Sequence, residues 1–191
     1  WSVLTSGAPA AAEIYAWDTT RTNNTPAGLW RIVSLADPGV QDETTNFFAV
    51  RNGSLMVYVN NGATNGDMYT TAAGAATNWI ASTNRPLNSL ATALDRFDLE
   101  PGDMLYVDTG AYTNTANPRV SRLDGGSSNS PVRIAGSTAE SAGGTVLYRS
   151  SQAAGSYGLH LDFVGWVAVS NLSVRRAYSG VCAACHGAGG N

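Results

Sequence analysis

The stretch Leu87-Asn88-Ser89-Leu90-Ala91-Thr92-Ala93-Leu94-Asp95-Arg96-Phe97 is followed, across Pro101-Gly102, by Met104-Leu105-Tyr106-Val107-Asp108. In the first part Leu87, Leu90, Ala91, Leu94 and Phe97 recur at helical spacing on one face, while Asn88, Thr92, Asp95 and Arg96 fall elsewhere. Pro86 ahead of it and Pro101-Gly102 behind it stand where a helix starts and stops. The second part is short, apolar and β-prone, and reads as a strand. Downstream the same strand pattern recurs at Pro131–Ala135, Thr145–Tyr148, Gly158–Leu161, Trp166–Val169, Leu172–Val174 and Gly180–Ala183 with no helical segment between. Strands spaced this closely suit an antiparallel sandwich or a parallel solenoid of roughly 20–30 residues per turn.

Upstream, residues 60–84 form a polar stretch with few large apolar residues, expected to be a loop. Residues 1–59 alternate apolar, aromatic-rich runs with turn-forming segments. Glu13–Trp17, Leu29–Val33, Phe47–Val50 and Leu55–Val59 read as strands, and Thr22–Pro26 and Arg51–Ser54 as turns. Three regions are therefore expected: an N-terminal β region at 1–59, whose first 17 residues are a candidate strand-donating segment, a polar loop at 60–84, and the helix with its following strands at 85–191.

Composition narrows the function classes. Of the 191 residues 43% are apolar, enough for a packed domain, while only 13% are charged. The surface must be polar through Ser, Thr, Asn and Gly, which suits an exported, turn-rich β protein. All 11 basic residues are Arg, and a net charge of −3 without a basic cluster argues against nucleic acid as a partner. No apolar run approaches the roughly 20 residues that span a bilayer. The opening Trp1-Ser2-Val3 shows no signal peptide, so a processed chain or a fragment is expected.

Arg85 to Tyr112, with Glu100-Pro101-Gly102-Asp103 leading into Met104–Asp108, resembles the N-terminal cap and first turn of exported right-handed parallel β-helix proteins related to pectate lyases. Val167–Val174 is similar to one of their repeating coils. The likeness covers roughly residues 57–181. It implies a mainly β chain: a right-handed parallel β-helix with one capping helix, preceded by a small β region. Modules of this kind serve in adhesins, lyases and epimerases alike, so it implies no single activity.

The chemistry-bearing residues are concentrated. The chain has two Cys and two His, and three of these four fall in Cys182-Ala183-Ala184-Cys185-His186. C-x-x-C-H is the attachment signature of c-type haem: both thiols bond covalently to the porphyrin, and the histidine ligates the iron. Random placement would give this combination roughly once in ten thousand. The same residues also read as a local disulfide or redox pair, as zinc ligands together with His160, or as ordinary positions on a turn. His160 precedes Cys182 by 22 residues, about one solenoid turn, so Leu159-His160-Leu161 is expected beside Val181-Cys182-Ala183. With both leucines inward, His160 faces outward and is the candidate second iron ligand opposite His186. Arg175 and Arg176 are candidate partners of haem propionates.

The expectation is an exported electron-transfer protein, extracellular, on the cell surface or periplasmic, with one covalent haem c and no catalytic residues. It is expected to self-associate, head to tail into a filament, through an uncovered sheet end. Two alternatives stand beside it: a structural or adhesive surface module without cofactor, and a polysaccharide lyase or epimerase drawing on Asp108, Asp124, Arg119, Arg122 and Arg133.

Overall fold

The structure is a computed structural model and describes residues 3, 5–8, 17–22, 24–46 and 48–183. Two units divide at Gly53/Ser54. In the first, β1 (Thr25–Gly28) pairs antiparallel with a later strand, β2 (Arg31–Val33) pairs antiparallel with β3 (Gln41–Glu43), and β4 (Phe48–Val50) is the partner of β1. The aromatic residues hold this unit together: Trp17 meets Trp30 edge-on with ring centroids 4.8 Å apart, and Trp30 stacks on Phe48 at 5.4 Å. Arg31 and Glu43, directly opposite on β2 and β3, form an exposed ion pair at 3.2 Å, worth little by itself. The strand expected at Glu13–Trp17 falls mostly outside the described residues.

The second unit opens with β5 (Met56–Val59) and one α-helix, α1 (Leu90–Arg96), followed by β6 (Met104–Val107), β7 (Gly110–Asn114) and β8 (Arg119–Val120). Next come β9 (Val132–Gly136), β10 (Thr145–Arg149) and β11 (Tyr157–Leu161), then β12 (Val167–Ser170), β13 (Leu172–Arg175) and β14 (Ser179–Ala183). The chain visits three parallel sheets in turn, with strand orders β12-β9-β6-β5, β13-β10-β7 and β14-β11-β8. Register is set by apolar columns. Val57 lies opposite Leu105, Leu105 opposite Ile134, and Ile134 opposite Val169. The first three are essentially fully buried, so a one-residue slip would turn each strand's apolar set out to solvent.

This corrects the fold expected from sequence. The described strands fall into five separate sheets of two to four strands, two of them antiparallel. The three parallel sheets are short and share their core with a helix, so the arrangement is mixed α/β and no single right-handed parallel β-helix is evident. Strands of two to five residues each align with two neighbours at most, and the turns between them divide the ladder. β5 pairs with β6 and belongs to the second unit, because Val57 and Val59 are buried in that unit's core.

The helix is shorter than its periodicity suggests. Ser89, in extended backbone, accepts the Thr92 N–H on its side-chain oxygen, so the helix begins at Leu90. Leu87, expected on the helix face, is instead extended and bridges Val59. Leu90, Ala93 and Leu94 are buried, and Phe97 returns to extended backbone as the C-cap.

Residues 60–84 form a pinned surface segment. Asp108 accepts the N–H groups of Met68 (2.7 Å), Tyr69 (2.9 Å) and Thr70 (2.7 Å), together with the Thr70 hydroxyl (2.8 Å). Two further buried carboxylates act the same way. Asp103 accepts Leu55 N–H and Glu100 N–H, and Asp124 accepts Leu99 N–H and Ser121 N–H. Each carboxylate supplies acceptors to backbone donors that have no strand partner.

Candidate functional site: the outward column of β8, β11 and β14

In β11 Leu159 is fully buried and Leu161 packs against the core, so His160 between them points to the outer face. β14 lies parallel to β11 with Leu159 opposite Val181, His160 opposite Cys182 and Leu161 opposite Ala183. This is the register that the 22-residue separation predicts. On the other side of β11, Arg119 of β8 lies opposite His160. Three strands therefore line up Arg119, His160 and Cys182 at one position of the ladder, with neighbours about 4.8 Å apart.

The column is held by local contacts. His160 donates its backbone N–H to the Pro118 carbonyl at 2.8 Å, and its ring lies 5.1 Å from that of Tyr157. Arg119 pairs with Asp162 at 2.6 Å, which fixes the guanidinium along the strand. Asn117 sets the start of β11 by accepting Tyr157 N–H (2.9 Å) and the Arg149 Nε–H (2.9 Å) while donating to the Gly155 carbonyl (3.0 Å).

Cys182 is only 5% exposed and is disulfide-bonded. The chain has one other cysteine, Cys185, which with His186 lies outside the described residues. When reduced, a cysteine sulfur beside an imidazole offers a soft ligand and a thiol for covalent attachment. Arg175 and Arg176 are not in this column. Arg175 ends β13, opposite Tyr148 in another sheet, and Arg176 follows it in left-handed backbone at φ 56°. Both are exposed on the approach to β14.

Val181 is 51% exposed although Leu159, its partner in the ladder, is fully buried. Among the described residues β12, β13 and β14 each have a neighbour on one side only, so inward residues of this last layer are covered from one side.

The residues considered for polysaccharide chemistry do not converge. Asp108 and Asp124 are buried and occupied by backbone donors, and Arg119 is paired with Asp162. The sequence reading offers Asp108 and Asp124 as candidate catalytic groups and gives Asp103 no role of its own. The signal that identifies all three is an Asp at a strand end or turn in a chain whose other charges are sparse. Among the described residues no group of three or more His, Cys, Asp or Glu is placed to hold a metal ion, so a zinc set would need Cys185 and His186. A cleft of about 360 Å³, lined by Trp30, Ile32, Asp42, Glu43 and Thr44 to Asn46, lies in the N-terminal unit and contains neither Cys nor His.

No described helix is long and apolar enough to cross a membrane. The chain matches no family model, no curated protein and no solved structure.

Proposed function

We propose that the chain is an exported electron-transfer module that would carry one covalent haem c through Cys182, Cys185 and His186, with His160 as the second histidine that would hold the iron. The observation that supports this most is the register of β11 and β14, which sets His160 directly opposite Cys182 in the ladder. The donor types fit the group: a thiol for the thioether bond and imidazole for iron. When bound, haem supplies a one-electron couple at its iron. The chain's part is to hold His160 through β11 and Tyr157, and to offer the exposed guanidinium groups of Arg175 and Arg176 to the propionates. Attachment needs the Cys182 sulfur as a thiol, so the disulfide form and the haem form exclude each other.

That exclusion supports a second reading, a structural or adhesive surface module without cofactor, in which the disulfide at Cys182 fixes the end of β14. One preparation separates the two. Protein exported by a host that attaches haem should absorb as a c-type cytochrome and keep its haem through acid and organic extraction. His160→Ala should then admit carbon monoxide to the iron. A colourless protein, lighter than its reduced chain by the lost thiol hydrogens, supports the module instead and removes the electron-transfer reading.

Self-association belongs to the same proposal. Among the described residues β12 and β13 each pair with a strand on one side only, which favours strand addition by another chain. The candidate donor is residues 1–17 of a neighbouring copy, most of which lie outside the described residues. Static light scattering should report mass growing with concentration, and deletion of residues 1–17 should abolish the growth. A concentration-independent monomer would exclude the filament.

A further inference from the structure

Asn60 is fully buried at the end of β5, and its side-chain N–H₂ is committed twice: to Asp67 Oδ2 at 2.6 Å and to the Ala72 carbonyl at 2.9 Å. Turning the amide round would set its oxygen against two other acceptors, so its orientation is fixed. The result leaves Asn60 Oδ1 and Asp67 Oδ1 both buried and both without a hydrogen-bond donor. Two orphaned acceptors on adjacent, already bonded groups need a donor or a cation.

A calcium ion would need six to eight oxygens, and the neighbours are taken. Asp108 Oδ1 accepts Met68 N–H and Thr109 N–H, Asp108 Oδ2 accepts Tyr69 N–H and Thr70 N–H, and the Ala72 carbonyl accepts from Asn60. A single proton answers both orphans. We propose that Asp67 is held as the neutral acid, its Oδ1–H donating to Asn60 Oδ1 while Asn60 Nδ2–H donates to Asp67 Oδ2, a two-bond ring that locks residues 60–72 in a pH-dependent way.

The charges around the pair favour this state. Burial pushes the Asp67 carboxyl above the usual carboxylate range, and the Asp108 carboxylate pushes it the same way, against the hydrogen bonds from Asn60 and Thr70. The other titratable group coupled to it, the buried Tyr112 phenol, is itself raised by burial and by Asp108 and Asp67, and stays neutral. A carboxyl raised in the folded state stabilises that state fully below its unfolded value near 3.9, and the contribution disappears as pH rises through the folded value. The lock is closed in acid and opens as pH rises through the folded value.

The test is a side-chain carboxyl carbon NMR titration of Asp67 in the wild-type chain, beside urea unfolding of wild type and Asp67→Asn across the same pH range. Asparagine can donate to Asn60 Oδ1 at every pH. The Asp67 resonance should titrate above the ordinary aspartate value, and the variant should lose the fall in unfolding midpoint that wild type shows as pH rises. A resonance titrating at or below the ordinary value would overturn the proposal and put a water in the gap. A resonance that moves on adding calcium chloride at neutral pH would overturn it in favour of a cation. The wild-type titration decides the question even if Asp67→Asn does not fold.

Discussion

Asp108→Ala should unfold at a much lower urea concentration than wild type, or fail to accumulate as a folded chain. The carboxylate is fully buried and is the acceptor for the N–H groups of Met68, Tyr69, Thr70 and Thr109 and for the Thr70 hydroxyl. Alanine leaves all of them without it. A buried donor left unpaired costs about 1–3 kcal/mol, so even with water entering the gap the loss should reach roughly 4 kcal/mol. Against a typical total of about 5–15 kcal/mol that is a large fraction. Asp108→Asn should be nearly as damaging despite its shape, because an amide N–H₂ must then face backbone N–H groups. Asp95→Ala, at an exposed helix position, should change the midpoint within about 0.5 kcal/mol. Equal midpoints for the Asp108 and Asp95 variants would mean that the segment 60–84 is not held by this carboxylate.

The second large effect is expected at Gly74. Its N–H donates to the Asn61 carbonyl at 2.7 Å, and a methyl group in place of its hydrogen would overlap the Asn60 carbonyl oxygen and meet the Leu87 carbonyl oxygen at 2.6 Å. Neither oxygen belongs to a side chain that can rotate away. Leu87 is tied into the ladder, its carbonyl accepting Asn60 N–H at 2.8 Å and its N–H donating to the Tyr58 carbonyl at 3.0 Å. Gly74→Ala must therefore shift backbone in the second unit's core, and a cost of roughly 3 kcal/mol or more, at the upper end of overpacking, is expected. Gly62→Ala, where an added carbon meets nothing within 4 Å, is the matched control. It should be neutral or slightly stabilising, by about 0.4–1 kcal/mol at most, through the unfolded chain. Thermal unfolding followed by far-UV circular dichroism compares the pair directly, and similar midpoints would show that the segment can retreat from Leu87.

How the chain divides into elements was largely legible because burial imposes local periods. Leu90, Ala93 and Leu94 mark α1, and the apolar runs at Met104–Val107, Val132–Gly136 and Thr145–Arg149 are strands within a residue or so of where their pattern ends. The strands that escaped notice, Thr25–Gly28, Gln41–Glu43, Gly110–Asn114 and Arg119–Val120, lack a run of large apolar residues. Gly110–Asn114 carries only Tyr112 into the core and takes its extended form from pairing with Thr145–Arg149, which no local pattern reveals. The candidate site divides likewise. The C-x-x-C-H spacing and the distance to His160 follow from the chain alone, whereas the disulfide at Cys182 and the position of Arg175 and Arg176 in another sheet do not.

Local pattern places α1 and the strands with apolar runs, and sets His160 and Cys182 22 residues apart, because side-chain alternation and turn chemistry act over a few residues. The folded state decided that the described strands gather into several short sheets. It alone also decided that Asp103, Asp108 and Asp124 are backbone acceptors and that the polar segment 60–84 is pinned. Leu55 N–H reaches a carboxylate 48 residues away and Met68 N–H one 40 residues away. A carboxylate's partners are whichever unpaired N–H groups the folded chain brings within about 3 Å, and that proximity exists only after the sheets have formed.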